Sequence, residues 1–71
     1  MKKISVSLSG HQTSITLEDE FFDALKKIAD TDKKSVASII NSIDEKRTPE
    51  SNLSSEIRIY ILNRLLKTAK L

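Results

Sequence analysis

His11 is the only histidine in a chain of 71 residues that contains no cysteine. A general base needs a partner within hydrogen-bond reach, and a zinc or iron-sulfur centre needs several N, S or O ligands. No carboxylate, thiol or second imidazole neighbours His11 in sequence, so it reads as a turn or strand-edge residue. Serines are numerous, yet none stands in a Gly-x-Ser-x-Gly elbow and one histidine supplies no triad. A single glycine also excludes a glycine-rich phosphate cradle. We therefore expect no catalytic residue, no metal ligand and no cofactor, and no enzyme.

What is left is binding chemistry, carried by polar side chains whose position depends on the elements around them. Thr13-Ser14-Ile15-Thr16-Leu17 alternates polar and apolar residues, as a half-buried strand does, and residues 12–17 are assigned to it. From Glu18 the period changes to that of a helix, with Phe21, Phe22, Leu25, Ile28 and Ala29 on one side, over about residues 18–30. Ile4, Val6 and Leu8 alternate with Ser5, Ser7 and Ser9, a second strand candidate that Gly10 interrupts. Residues 1–10 thus form either an edge strand closing a local hairpin or a trailing arm.

Two further helices follow. Ser35 can cap the second, over residues 35–46, where Val36, Ile39, Ile40 and Ile43 make a narrow apolar stripe. Thr48-Pro49-Glu50-Ser51-Asn52 reads as a loop, and Asn52 can cap a third helix over residues 52–68. That helix carries Ile57, Tyr60, Ile61 and Leu65 on one face, with Ile59, Leu62 and Leu66 on adjacent faces, more than one packing partner covers. The fold class is α+β, mostly α, in a single domain.

A chain this short buries only about 60% of its unfolded surface, and without disulfides or a metal a second copy is the expected source of further burial. The strand points the same way, because one short strand cannot make a sheet by itself. Net charge is +2, with a basic excess at residues 1–17 and 51–71 and an acidic one at 18–50. Such a balance permits a nucleic-acid partner without requiring one. No apolar run reaches the roughly 18 residues of a membrane span, and no signal-peptide core follows Met1-Lys2-Lys3, so the expectation is cytoplasmic with no membrane partner.

Strand, helix, helix resembles the ribbon-helix-helix superfamily, the fold of the MetJ and Arc repressors, over about residues 12–43. The resemblance is carried by Thr13-Ser14-Ile15-Thr16-Leu17-Glu18-Asp19-Glu20-Phe21 and by Ser35-Val36-Ala37-Ser38-Ile39-Ile40. Gly10-His11, Thr13-Ser14, Leu17-Glu18, Ile43-Asp44 and Asn52-Leu53-Ser54-Ser55 are similar to a subfamily of short bacterial proteins with this domain. The resemblance implies a homodimer in which one strand from each chain pairs antiparallel, and this ribbon enters the major groove of double-stranded DNA.

If Thr13, Ile15 and Leu17 face the helices, Gln12, Ser14 and Thr16 face outward and become the base-reading candidates. The resemblance places phosphate contacts at the start of the second helix, Lys33, Lys34 and Ser35. Leu53-Ser54-Ser55-Glu56-Ile57-Arg58 is also similar to that helix, which makes Asn52, Ser54 and Ser55 the alternative. Thr13, Ile15, Leu17, Phe21, Ile39, Ile40, Ile43, Ile57 and Ile61 are the expected dimer core. The first functional expectation is a transcriptional regulator. The second is a protein-interaction or dimerisation module, antitoxin-like or a scaffold, with little DNA binding. Geometry separates them: if residues 4–8 flank each central strand, four strands spaced about 4.8 Å apart span roughly 14 Å, against a major groove about 12 Å wide.

Overall fold

A computed structural model describes residues 1–8 and 10–69 of the chain. Its first two elements are strands, β1 (Lys2–Leu8) and β2 (His11–Leu17), paired antiparallel from Lys2 opposite Leu17 to Leu8 opposite His11. Of the two alternatives for residues 1–10, the local hairpin is the one observed: β1 covers one edge of β2, and pairing of β2 with another copy concerns its other edge. The reason lies at the tip. Only residues 9 and 10 join the strands, and Gly10 takes φ +87°, which a residue without Cβ adopts at little cost.

Three helices follow, α1 (Asp19–Asp32), α2 (Val36–Lys46) and α3 (Leu53–Ala69). The acidic Asp19 and Glu20 occupy the first turn of α1, where they complement the positive end of the helix dipole. That helix continues past Ala29 and ends where Lys33 adopts a left-handed conformation, φ 56°. The Lys33 N–H donates to the Asp30 C=O (3.2 Å) and the Lys34 N–H to the Ala29 C=O (2.9 Å), so the last carbonyls are satisfied in a Schellman arrangement. Ser35 caps α2, its Oγ accepting from the Ser38 N–H at 3.0 Å. Asn52 does the same for α3 through Ser55 N–H, 3.1 Å.

The inner face of the hairpin and one side of each helix close on each other. Among the described residues, Val6, Leu8, Ile15, Leu17, Leu25, Ile28, Ala29, Ile39, Ile40, Leu53, Ile57 and Ile61 form the buried core, and no polar side chain is buried with them. Of the residues expected between two chains, Ile15, Leu17, Ile39, Ile40, Ile57 and Ile61 are thus covered by their own chain, while Thr13, Phe21 and Ile43 are half-buried. The hairpin makes this possible: with two strands rather than one, the sheet is wide enough to roof the helices.

Two bidentate ion pairs fix α3 against the rest. Arg58 Nε and Nη2 donate to Glu18 Oε1 (2.8 Å) and Oε2 (3.3 Å) at the β2–α1 junction. Arg64 Nη1 and Nη2 donate to Asp32 Oδ2 (2.6 Å) and Oδ1 (3.0 Å) at the end of α1. At the third corner, Arg47 holds Asp44 at 2.7 Å and donates to the Ser51 C=O at 2.8 Å, closing the α2–α3 loop.

Candidate nucleic-acid interface

Period-2 geometry sorts the hairpin into two faces. Ile4, Val6 and Leu8 of β1 turn inward with Thr13, Ile15 and Leu17 of β2. Gln12, Ser14 and Thr16 therefore lie exposed on the outer face, side by side with Ser7, Ser5 and Lys3 of the neighbouring strand. Directly opposed residues of an antiparallel pair sit about 4.5–5.5 Å apart at Cβ. The outer face is thus a strip of hydroxyl, amide and ammonium groups: Lys3 beside Thr16, Ser5 beside Ser14, Ser7 beside Gln12.

Sequence reasoning named only the β2 half of this strip. The signal for Lys3, Ser5 and Ser7 was the alternation with Ile4, Val6 and Leu8, but only the register shows that both polar sets share a face. Lys2 differs from Lys3: it lies across from Leu17, with its Nζ 5.7 Å from the centre of the Phe22 ring, a cation–π contact.

The two helix starts considered for phosphate contact occupy different surroundings. Both carry an N-cap that satisfies one amide, and in both the following N–H groups point out of the first turn. Lys33, Lys34 and Ser35 are exposed at the α1–α2 corner, where Lys34 borders a hollow shared with Lys46 and Tyr60 and with no strand residue. Asn52 and Ser54 instead share an open crevice of about 330 Å³ with His11, Ser14 and the Asp44–Arg47 pair. The start of α3 is therefore the one brought beside the hairpin.

His11, at the strand tip and exposed, faces this crevice with no acidic cluster around it. Among the described residues no group of three or more His, Cys, Asp or Glu could hold a metal ion, and no helix is long and apolar enough to cross a membrane. The arginines of α3 are occupied. The Arg58 guanidinium holds the Glu18 carboxyl below the usual carboxylate range, and Arg64 does the same for Asp32. The guanidinium of Arg64 is correspondingly stabilised in its charged form. Free positive charge near the ribbon thus comes from Lys3 more than from α3.

The polar outer strip lies on a two-stranded antiparallel ribbon backed by three helices. A family model for the ribbon-helix-helix domain matches residues 1–65. The chain belongs to that family. No curated protein and no solved structure matches the chain. Ribbon-helix-helix domains generally bind DNA as dimers in transcription regulators and antitoxins, and they are regulatory modules rather than enzymes.

Proposed function

We propose that this ribbon-helix-helix protein is a homodimeric DNA-binding protein of the transcription-regulator type, in which each chain's own hairpin reads the major groove. The observation that carries this reading is the unbroken polar outer strip of Lys3, Ser5, Ser7, Gln12, Ser14 and Thr16. A two-stranded antiparallel ribbon is one of the few elements the groove admits. Pairing β2 with a second β2 would give a sheet four strands across, roughly 14 Å before side chains, which exceeds the groove width of about 12 Å. A single hairpin, about 5 Å between its strands, fits.

In this reading Gln12 pairs with adenine through its amide, and Ser5, Ser14 and Thr16 bond base edges as donors or acceptors. Lys3 meets a phosphate, and the start of α3, Asn52 with Ser54 and Ser55, takes another because it lies beside the strand. Lys33, Lys34 and Ser35, farther along the chain's surface, are the second phosphate candidate. Gel shifts with duplex DNA across a salt series test all of this. Thr16→Ala and Gln12→Ala should weaken binding to the preferred sequence by about 5- to 100-fold each. Lys3→Ala should weaken binding to every sequence and lower the salt slope by about 1. No duplex binding at about 50 mM salt would sink the reading.

The apolar outer side of α3 favours a second reading, a protein-interaction module that neutralises or scaffolds a partner with little or no DNA binding. Ile59, Leu62 and Leu65 are each about half exposed and Leu66 is 39% exposed. Removing residues 1–9 cannot separate the two readings, because Val6 and Leu8 belong to the core. Single substitutions on the hairpin's outer strip separate them instead, since the second reading leaves those positions silent.

A further inference from the structure

The hairpin is a sheet with two edges, and the chain treats them differently. Asn41, in the middle of α2, donates through its amide nitrogen to the Ser7 C=O (3.0 Å) and to the Ala37 C=O of its own helix (2.9 Å). Two carbonyls at hydrogen-bond distance require the NH2 group there, and both of its hydrogens are then used. Asn is a poor residue for a helix interior because its amide competes for backbone partners. Here one of those partners belongs to the sheet. A carbonyl that reaches α2 points away from β2, and antiparallel pairing alternates, so Lys3, Ser5 and Ser7 turn their N–H and C=O groups out of the β1 edge. By the same alternation Gln12, Ser14 and Thr16 turn theirs out of the β2 edge. Among the described residues, no side chain bonds the backbone of β2.

We infer that Asn41 closes the β1 edge to strand addition, so that the sheet accepts a further extended segment along β2 alone. An added strand runs about 4.8 Å from its neighbour and sets an N–H against each outward carbonyl. The Asn41 nitrogen already occupies that place at Ser7, and α2, held to the core by Ile39 and Ile40, lies against β1. Towards the other end of the same edge stands Lys3, exposed and charged, a residue type that natural edge strands use against pairing. Ser5 is left between two obstacles, too short a stretch to hold a strand.

The consequence is a limit on size. Copies open at both edges would join strand to strand without end, as fibres do. Copies closed along β1 run out of edges once two of them have met along β2. This closure goes beyond the DNA-binding reading and does not depend on it.

Asn41→Ala in the full chain removes the donor and keeps a good helix former, which gives the test. In sedimentation across a concentration series, with circular dichroism to establish that the variant is folded, its average mass should keep rising where that of the unchanged chain levels off. Amide exchange should show the reason. The Ser5 N–H, which points outward in the unchanged chain, should exchange about ten-fold more slowly, or slower still, as the variant assembles. Adding Ser5→Pro to Asn41→Ala should stop the growth, because proline removes an outward N–H and crowds an incoming strand without touching a bond inside the hairpin. A folded Asn41→Ala whose mass levels off with that of the unchanged chain would overturn the inference. Growth that persists with Ser5→Pro would overturn it too, since it would come from loosened packing rather than from the edge. So would slow Ser5 exchange in the unchanged chain once its mass has levelled off, a result that depends on no variant folding. None of these readouts involves DNA, so this inference and the proposed function fail independently.

Discussion

The hairpin and α3 bury one side each in the same core and differ in what they show to the outside. On β1 and β2 the outward positions are Lys, Ser, Gln and Thr; on α3 they include Ile59, Leu62, Leu65 and Leu66 beside Ser55, Asn63, Lys67 and Thr68. Isolated exposed apolar residues are ordinary on any protein surface, but a row of them along one helix is not. The contrast sets a polar, hydrated face on the ribbon against an apolar one on α3.

The largest expected difference lies between the two sides of α3 itself. Ile61→Ala, at a side chain with no exposure, should cost about 2–5 kcal/mol in urea denaturation, whereas Leu62→Ala in dilute protein should stay within about 0.5 kcal/mol. Equal losses at the two positions would erase the distinction. A smaller effect belongs to the hairpin tip. Gly10 has open space around the site of a Cβ, so Gly10→Ala tests backbone conformation alone, and its φ of +87° should make the change cost about 1–2 kcal/mol. At the start of α3, Asn52→Ala removes the cap to Ser55 and should cost about 1 kcal/mol. A measured loss near zero there would mean that water caps the helix as well as the amide does.

The smallest effect concerns the ion pairs that tie α3 to the two ends of α1. Glu18 and Asp32 have carboxyls lowered from ordinary values of 4.5 and 3.8, chiefly by hydrogen bonds from Arg58 and Arg64. A lowered folded-state pKa contributes stability above the unfolded value, and that contribution is lost as pH falls through the folded one. Between pH of about 5 and about 3, the native chain should therefore lose stability more steeply than Arg58→Met or Arg64→Met. Parallel curves would show that these half-buried pairs position α3 without stabilising it.

Local signals were legible in the residues. The alternation around Ile15, the acidic first turn of α1 and the caps at Ser35 and Asn52 each depend on neighbours within a turn, so the sequence displays them directly. The end of α1 was less visible, because the left-handed position is held by Lys33, where glycine is the usual sign. Register was not legible either. Ile4, Val6 and Leu8 announce a strand, but the pairing of Ser5 with Ser14, and hence the doubled polar strip, depends on a two-residue connection at Gly10. Periodicity also cannot say in which copy an apolar face is buried. Ile40 and Ile57 read equally well as intra-chain core or as an interface, and only packing of the hairpin over the helices decides for the former. Contacts distant in sequence, such as Arg58 with Glu18, leave no local trace at all.

Among the described residues, all twelve buried side chains of the core come from one chain, and that bears on kinetics. Refolding of dilute protein should be a first-order reaction whose half-time does not change with concentration; a half-time that shortens as concentration rises would mean that folding waits for a second copy.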